Sequence, residues 1–334
     1  MKFWSILLLA IALLIPSPAW SADHPPLDAR LTAGLDYPHP VAMHALSWQG
    51  HAVELAYMDI APTAPPIKTT VLLLHGKNFS GAYWAETITR LTASGHRVIV
   101  PDQIGFGRSS KPDDVQYSFH AMVTHTVSLL DALEVEGVAV VGHSMGGMVA
   151  ARFALMQPER TERLVLMNPI GLEDWQQLTP YRTVEEWTAR GLASTPAGVK
   201  AYMQRAYFDG QWKAEYDPMV ALQAGWSIGP DQALIARVSA LHYDMIYTQP
   251  VVHEFPRIQA PTLLIIGERD RTALNRDLVD EATAALLGRY DVLGAKAAES
   301  IPGAVLVALP GVGHVPQVEA PGPTYAALLS FLSP

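Results

Sequence analysis

The chain has 334 residues, a formal charge of −9, 49% hydrophobic and 16% charged residues, a composition that excludes disorder and disfavours sequence-independent nucleic-acid binding, which needs a basic face. It has no cysteine, so disulfides, thiolate catalysis and cysteine metal sites are excluded. The length fits one large domain, or a core with a smaller companion.

Lys2 precedes an apolar stretch, Phe3 to Ile15, broken only by Ser5. That run is too short to span a bilayer, and with the small residues Ala19, Ser21 and Ala22 behind it, it fits a cleaved secretory signal. Residues 1–21 are therefore expected to be removed and the protein exported, periplasmic or secreted. No later segment reads as transmembrane.

A Pro-rich leader, Asp23 to Pro40, is followed by two runs with strand character, Val41–Trp48 and Ala52–Ile60. Short apolar runs then recur at Thr70–Leu74, Arg97–Val100, Val138–Val141, Leu164–Met167, Thr262–Ile266 and Val305–Leu309. Runs without alternation are what strands buried on both faces look like. Helix-length segments lie between them at Ala82–Ser94, Phe119–Leu133 and Met145–Met156, the last stopping before Pro158. The repeat of strand and helix predicts an α/β protein with a mostly parallel, doubly wound sheet. The rhythm breaks between Pro169 and Pro250, where four of the eight Trp and six of the twelve Tyr gather. Residues 169–250 are read as a helical cap inserted into a core made of 22–168 and 251–334.

The sharpest motif is Gly142-His-Ser144-Met-Gly146-Gly147, with a buried strand before it and a helix after. That context makes Ser144 a nucleophile on a strained strand-to-helix turn. Gly142 and Gly146 supply room where the chain doubles back. A serine needs a base, and twelve histidines compete. His75 and His143 sit in strand-end turns, where packing or a local hydrogen bond is the expected role. His314 stands apart in the glycine-flanked loop Gly311-Val-Gly-His314 after the last apolar run, at the strand end where catalysis in open parallel sheets gathers. A carboxylate should orient its imidazole. Asp270, in the turn closing the Thr262–Ile266 run, is the choice, with Glu268 and Asp277 as lesser candidates. The turn at His75-Gly-Lys77-Asn78 is expected to offer the backbone N–H of Lys77, which with that of Met145 would form an oxyanion hole. The Lys77 ammonium is expected to stay mobile and in water.

Together with Pro101-Asp-Gln-Ile-Gly-Phe-Gly-Arg-Ser109, these motifs resemble the α/β-hydrolase superfamily in its capped branch, over nearly all of the chain after the leader. The resemblance implies a nucleophile, acid, base order of Ser144, Asp270, His314 and a structural role for Asp102. A serine nucleophile argues against haloalkane dehalogenases and epoxide hydrolases, which use Asp. Carboxylic ester hydrolysis of small to medium apolar acyl or aryl substrates is the expected activity, in an apolar pocket under the cap. A C–C bond hydrolase and a non-enzymatic sensor of the same fold are the alternatives. No metal or nucleotide motif occurs, so no cofactor is expected. The partner is a small-molecule substrate, and the sequence leaves the oligomeric state open.

Overall fold

A computed structural model describes residues 24–333, so the expected signal segment lies outside the described residues. Eight strands form one sheet: β1 (Ala42–Trp48), β2 (His51–Ile60), β3 (Thr70–Leu74), β4 (Val98–Pro101), β5 (Val138–His143), β6 (Thr161–Met167), β7 (Thr262–Gly267) and β8 (Val305–Leu309). Their spatial order is β1-β2-β4-β3-β5-β6-β7-β8. The first two strands pair antiparallel with each other, and β2 pairs antiparallel with β4; all other pairs are parallel. Twelve α-helices accompany the sheet in the described residues. They are α1 (Ala85–Ala93), α2 (Phe119–Ala132), α3 (Met145–Met156), α4 (Trp175–Leu178), α5 (Val184–Leu192), α6 (Pro196–Phe208), α7 (Ala221–Ser227), α8 (Gln232–Thr248), α9 (Glu281–Leu286), α10 (Tyr290–Ser300), α11 (Pro316–Glu319) and α12 (Pro321–Leu332).

The unbroken apolar runs have the cause proposed for them. All five residues of β3 and all six of β5 and β7 are buried, because the period-2 geometry of a strand feeds two cores at once. Leu72 and Leu74 enter the core shared with α2, α3 and α10, whereas Val71 and Leu73 enter the one shared with α1 and α12. The edge strand β8 differs: Val305 is exposed, since an edge strand has less to cover it.

Between β6 and β7 the chain holds α4 to α8 and no strand. The segment 24–37 runs from these helices to the sheet. Leu27 N–H donates to Gly225 C=O (3.0 Å) and Ala29 N–H to the Asp231 carboxylate (2.7 Å). The Trp226 indole N–H donates to Asp28 C=O (3.0 Å). At the other end, Arg30 pairs with Glu54 (2.8 Å) and Tyr37 Oη donates to Asp102 (2.5 Å). No helix of the described residues is long and apolar enough to cross a membrane.

Candidate active site

Ser144 occupies the single residue between β5 and α3, with φ 56° and ψ −123°. A non-glycine residue at positive φ is strained, and its surroundings are built to hold it. A Cβ on Gly142 would lie 2.2 Å from Gly146 O, and one on Gly146 would lie 2.1 Å from Leu74 O. Neither position accepts a side chain, so the elbow presses the start of α3 onto the end of β3. The same closeness puts Gly76 of the neighbouring turn against Ser144, where an added Cβ would be 2.9 Å from the serine Cβ.

His314 is fully buried in the loop after β8. Its Nδ1 lies 2.5 Å from Asp270 Oδ2, so Nδ1 carries the proton and Nε2 presents a lone pair. That Nε2 is buried and has no hydrogen-bond partner among the described residues. The loop is tied from two sides. Its backbone N–H at His314 donates to Tyr207 C=O at the end of α6 (2.8 Å), and its C=O accepts from His143 Nε2 (2.8 Å). Burial holds His143 well below the usual imidazole range, so it is neutral and acts as a fixed donor between the elbow and the His314 loop.

Asp270 is also fully buried. Its Oδ1 accepts from Thr272 N–H (2.8 Å) and its Oδ2 from Asn168 Nδ2 (3.1 Å). Glu268 and Asp277 do not take this place: Asp277 pairs with Arg182 (2.8 Å) and Arg190 (3.0 Å). Asp102 accepts from Gly81 N–H (2.6 Å), Arg108 N–H (2.8 Å) and Tyr37 Oη, the work of a loop anchor.

In the turn after β3, Gln103 N–H donates to His75 Nε2 (3.0 Å). The His75 proton is therefore on Nδ1, which donates to Gly76 C=O (2.9 Å). Burial lowers His75, in keeping with this neutral tautomer. The peptide N–H groups of Lys77 and Met145 have no acceptor among the described residues; Met145 opens α3, whose first N–H groups have no intrahelical partner.

The side chain of Lys77 corrects the reading from sequence. It is buried, not mobile in water. Its Nζ donates to Ser239 Oγ (2.6 Å) and lies 3.6 Å from the centroid of the Tyr243 ring. Burial, with no charged group offsetting it, pulls Lys77 down to about 7.

Three residues escaped the sequence analysis: Asn168, Thr272 and Tyr207. Asn168 follows β6 at φ 36° and brackets Gly267, accepting from its N–H (2.8 Å) while Nδ2 reaches Asp270. A polar residue ending a fully apolar run was the one available signal. The Tyr207 ring lies tilted against His314 with centroids 4.3 Å apart, and its Oη accepts from Asn78 Nδ2 (2.7 Å).

A serine on a strained elbow, beside a glycine turn and one residue from the His143 that bonds the loop of a buried imidazole–carboxylate pair, is an arrangement suited to hydrolysis. The family model for the alpha/beta hydrolase fold matches residues 69–321.

The chain belongs to the α/β-hydrolase family.

A crystal structure described as a probable hydrolytic enzyme from Pseudomonas aeruginosa PAO1 superposes with a TM-score of 0.91. It is 46% identical, and the match covers 93% of this chain and 100% of that one. RutD of Pseudomonas syringae pv. syringae, whose name proposes carbamate hydrolysis, is 32% identical over 270 residues, 79% of this chain and 93% of its own length. A 2-hydroxymuconate semialdehyde hydrolase of Pseudomonas sp. strain CF600 is 41% identical over 104 residues, 30% of this chain and 37% of that protein. Like these α/β-hydrolases, the chain is a hydrolase of this fold. Among the described residues no group of three or more His, Cys, Asp or Glu is placed to hold a metal ion.

Proposed function

We propose that the protein is an exported serine hydrolase that cleaves carboxylic esters of small to medium apolar acyl or aryl substrates through an acyl-enzyme, with residues 169–250 as its cap. The observation that carries this reading is the buried His314, with Nδ1 on Asp270 and Nε2 unpartnered. In the first half-reaction Ser144 Oγ attacks the ester carbonyl carbon and its proton passes to His314 Nε2. Negative charge collects on the carbonyl oxygen, where the N–H groups of Lys77 and Met145 meet it. The C–O bond to the leaving group breaks, and the departing oxygen takes the proton from Nε2. Water then repeats the sequence on the acyl-enzyme, giving its proton to Nε2, and Ser144 recovers one as the acid leaves. Asp270, anchored by Thr272 and Asn168, holds the imidazole in the required tautomer and stabilises its cation.

The aromatic side chains beside the two imidazoles, with Tyr207 against His314 and Phe79 and Tyr83 against His143, favour an apolar acyl or aryl group. The local likeness to the 2-hydroxymuconate semialdehyde hydrolase supports C–C bond cleavage as the second reading. The test is a fluorophosphonate probe, which should label the wild type and leave Ser144→Ala unlabelled; equal labelling of both would refute the assignment. Turnover of a neutral aryl ester alongside a vinylogous diketone then decides between the two bonds.

A further inference from the structure

The burial of Lys77 is unusual for a lysine beside an active site, and the cap is what makes it tenable. Two residues of α8 meet its amine: Ser239 and Tyr243. Their spacing of i and i+4 puts them on one face of the helix. Ser239 Oγ accepts from Nζ at 2.6 Å, and Tyr243 offers its ring face 3.6 Å away, a face that also attracts the protonated form. His242 Nδ1 donates to Val238 C=O within the helix (2.7 Å). Its Nε2 is therefore a lone-pair nitrogen, buried and without a partner among the described residues. Lys77 and His242 line the same cavity of about 10 Å³, room for one water molecule.

The core end of this strut is the turn whose peptide N–H the oxyanion needs. Gly76 packs on Ser144, and His75 is bonded to Gly76 C=O and to Gln103. Residues 75 and 76 are thus held from the core. The next residue, Lys77, is held by its side chain from the cap.

We propose that Lys77 is a positioning residue: its side chain, gripped by Ser239 and Tyr243 of α8, fixes its own peptide N–H in the oxyanion turn, so that the turn is complete only when the cap is seated. This rests on the serine-hydrolase reading above. It makes α8 part of the oxyanion machinery without touching substrate, and it ties cap closure to transition-state stabilisation.

The test compares wild type with Lys77→Met, Ser239→Ala and Ser239→Thr in the full chain. Two quantities are read: the rate of fluorophosphonate labelling, and kcat and KM on a neutral aryl ester. Lys77→Met keeps the peptide N–H and the length of the stem but loses the grip. Misplacing a donor by about 1 Å costs up to roughly 100-fold, so labelling and kcat should fall by about 10- to 100-fold, with KM changed less than about threefold. Ser239→Ala should fall in the same sense by a smaller factor, and Ser239→Thr, which keeps the hydroxyl, should recover most of the rate. If Lys77→Met loses its near-ultraviolet circular dichroism and does not fold, the Ser239 pair decides alone. Labelling of the folded Lys77→Met variant at the wild-type rate would overturn the proposal. So would an unchanged kcat with a KM raised only for esters bearing a carboxylate, since the ammonium would then be binding substrate. A wild type that is not labelled at all is a different result, and it would remove the serine-hydrolase reading itself.

Discussion

The conformation of Ser144 makes a prediction about stability that is separate from catalysis. At φ 56° and ψ −123° the residue sits in a region that glycine enters freely and an L side chain does not. Such strain costs on the order of 1–3 kcal/mol, so removing the Cβ should return about 2 kcal/mol to the folded state. Against this, glycine loses more backbone freedom on folding than alanine, about 0.7 kcal/mol. The difference favours Ser144→Gly over Ser144→Ala by about 1.3 kcal/mol. With an unfolding entropy of about 2.1 cal/mol/K per residue over the described chain, each kcal/mol moves Tm by roughly 1.5 °C. Ser144→Gly should therefore melt about 2 °C above Ser144→Ala by scanning calorimetry. Neither variant should react with a fluorophosphonate. The alanine reference matters because both variants lose the hydroxyl and only one loses the Cβ. If the glycine variant melts at or below the alanine variant, the elbow is not strained as its dihedral angles imply.

Asp270→Asn should lower kcat by about 10⁴, the cost of the wrong tautomer in a comparable triad, measured on any ester the wild type turns over. Asn168→Ala removes the donor to Asp270 and the acceptor for Gly267 N–H. It should destabilise the fold by about 2–4 kcal/mol, since a hydrogen bond to a charged group and a buried N–H are both lost, and a chemical-denaturation midpoint unchanged from wild type would contradict this. Burial holds Lys77 at about 7, below its ordinary 10.5. Between those two values the unfolded chain binds more protons than the folded one, so stability contributed at this site rises with pH. Tm followed from pH 7.5 to 9.5 should rise more steeply in wild type than in Lys77→Met, and parallel curves would mean that Lys77 is not depressed. Lengthening the acyl chain should improve kcat/KM by about 0.8 kcal/mol per methylene until the pocket is full, and a flat series from acetyl to hexanoyl esters would exclude an apolar acyl site.

The parts of the molecule legible in the sequence are those whose cause is local. Strands buried on both faces need continuous apolar runs, so β3, β5 and β7 could be bounded to within two residues. Helix α3 could be placed from Ser144 to Pro158 because an elbow starts it and a proline follows its end. The expected helix Ala82–Ser94 opens within a 3-10 turn, Gly81–Trp84, ahead of α1, because the residues of that turn carry no signal against a helix. What stayed hidden acts across the chain. Asn168 reaches Asp270 over 102 positions and Lys77 reaches Ser239 over 162. Tyr207 lies over His314 through the end of α6. For Lys77 the general rule that ammonium groups seek water gave the wrong environment, because a hydroxyl and an aromatic face on one helix receive its amine out of water.

The 24–37 segment carries a consequence for how the protein comes to be sealed. The contact from Ala29 to Asp231 spans 202 positions, and closing so large a loop is entropically late in folding. In a chain made from its N-terminus this stretch emerges before the residues it binds. It must then wait, undocked, until Gly225, Trp226 and Asp231 have been synthesised and their helices have settled on the sheet. The pairing of the sheet's inner strands uses no residue of this segment and can form before it docks. A late fastening of the molecule is thus made by residues synthesised well before their partners, and its loss should show first as exchange of the backbone amides at Leu27 and Ala29.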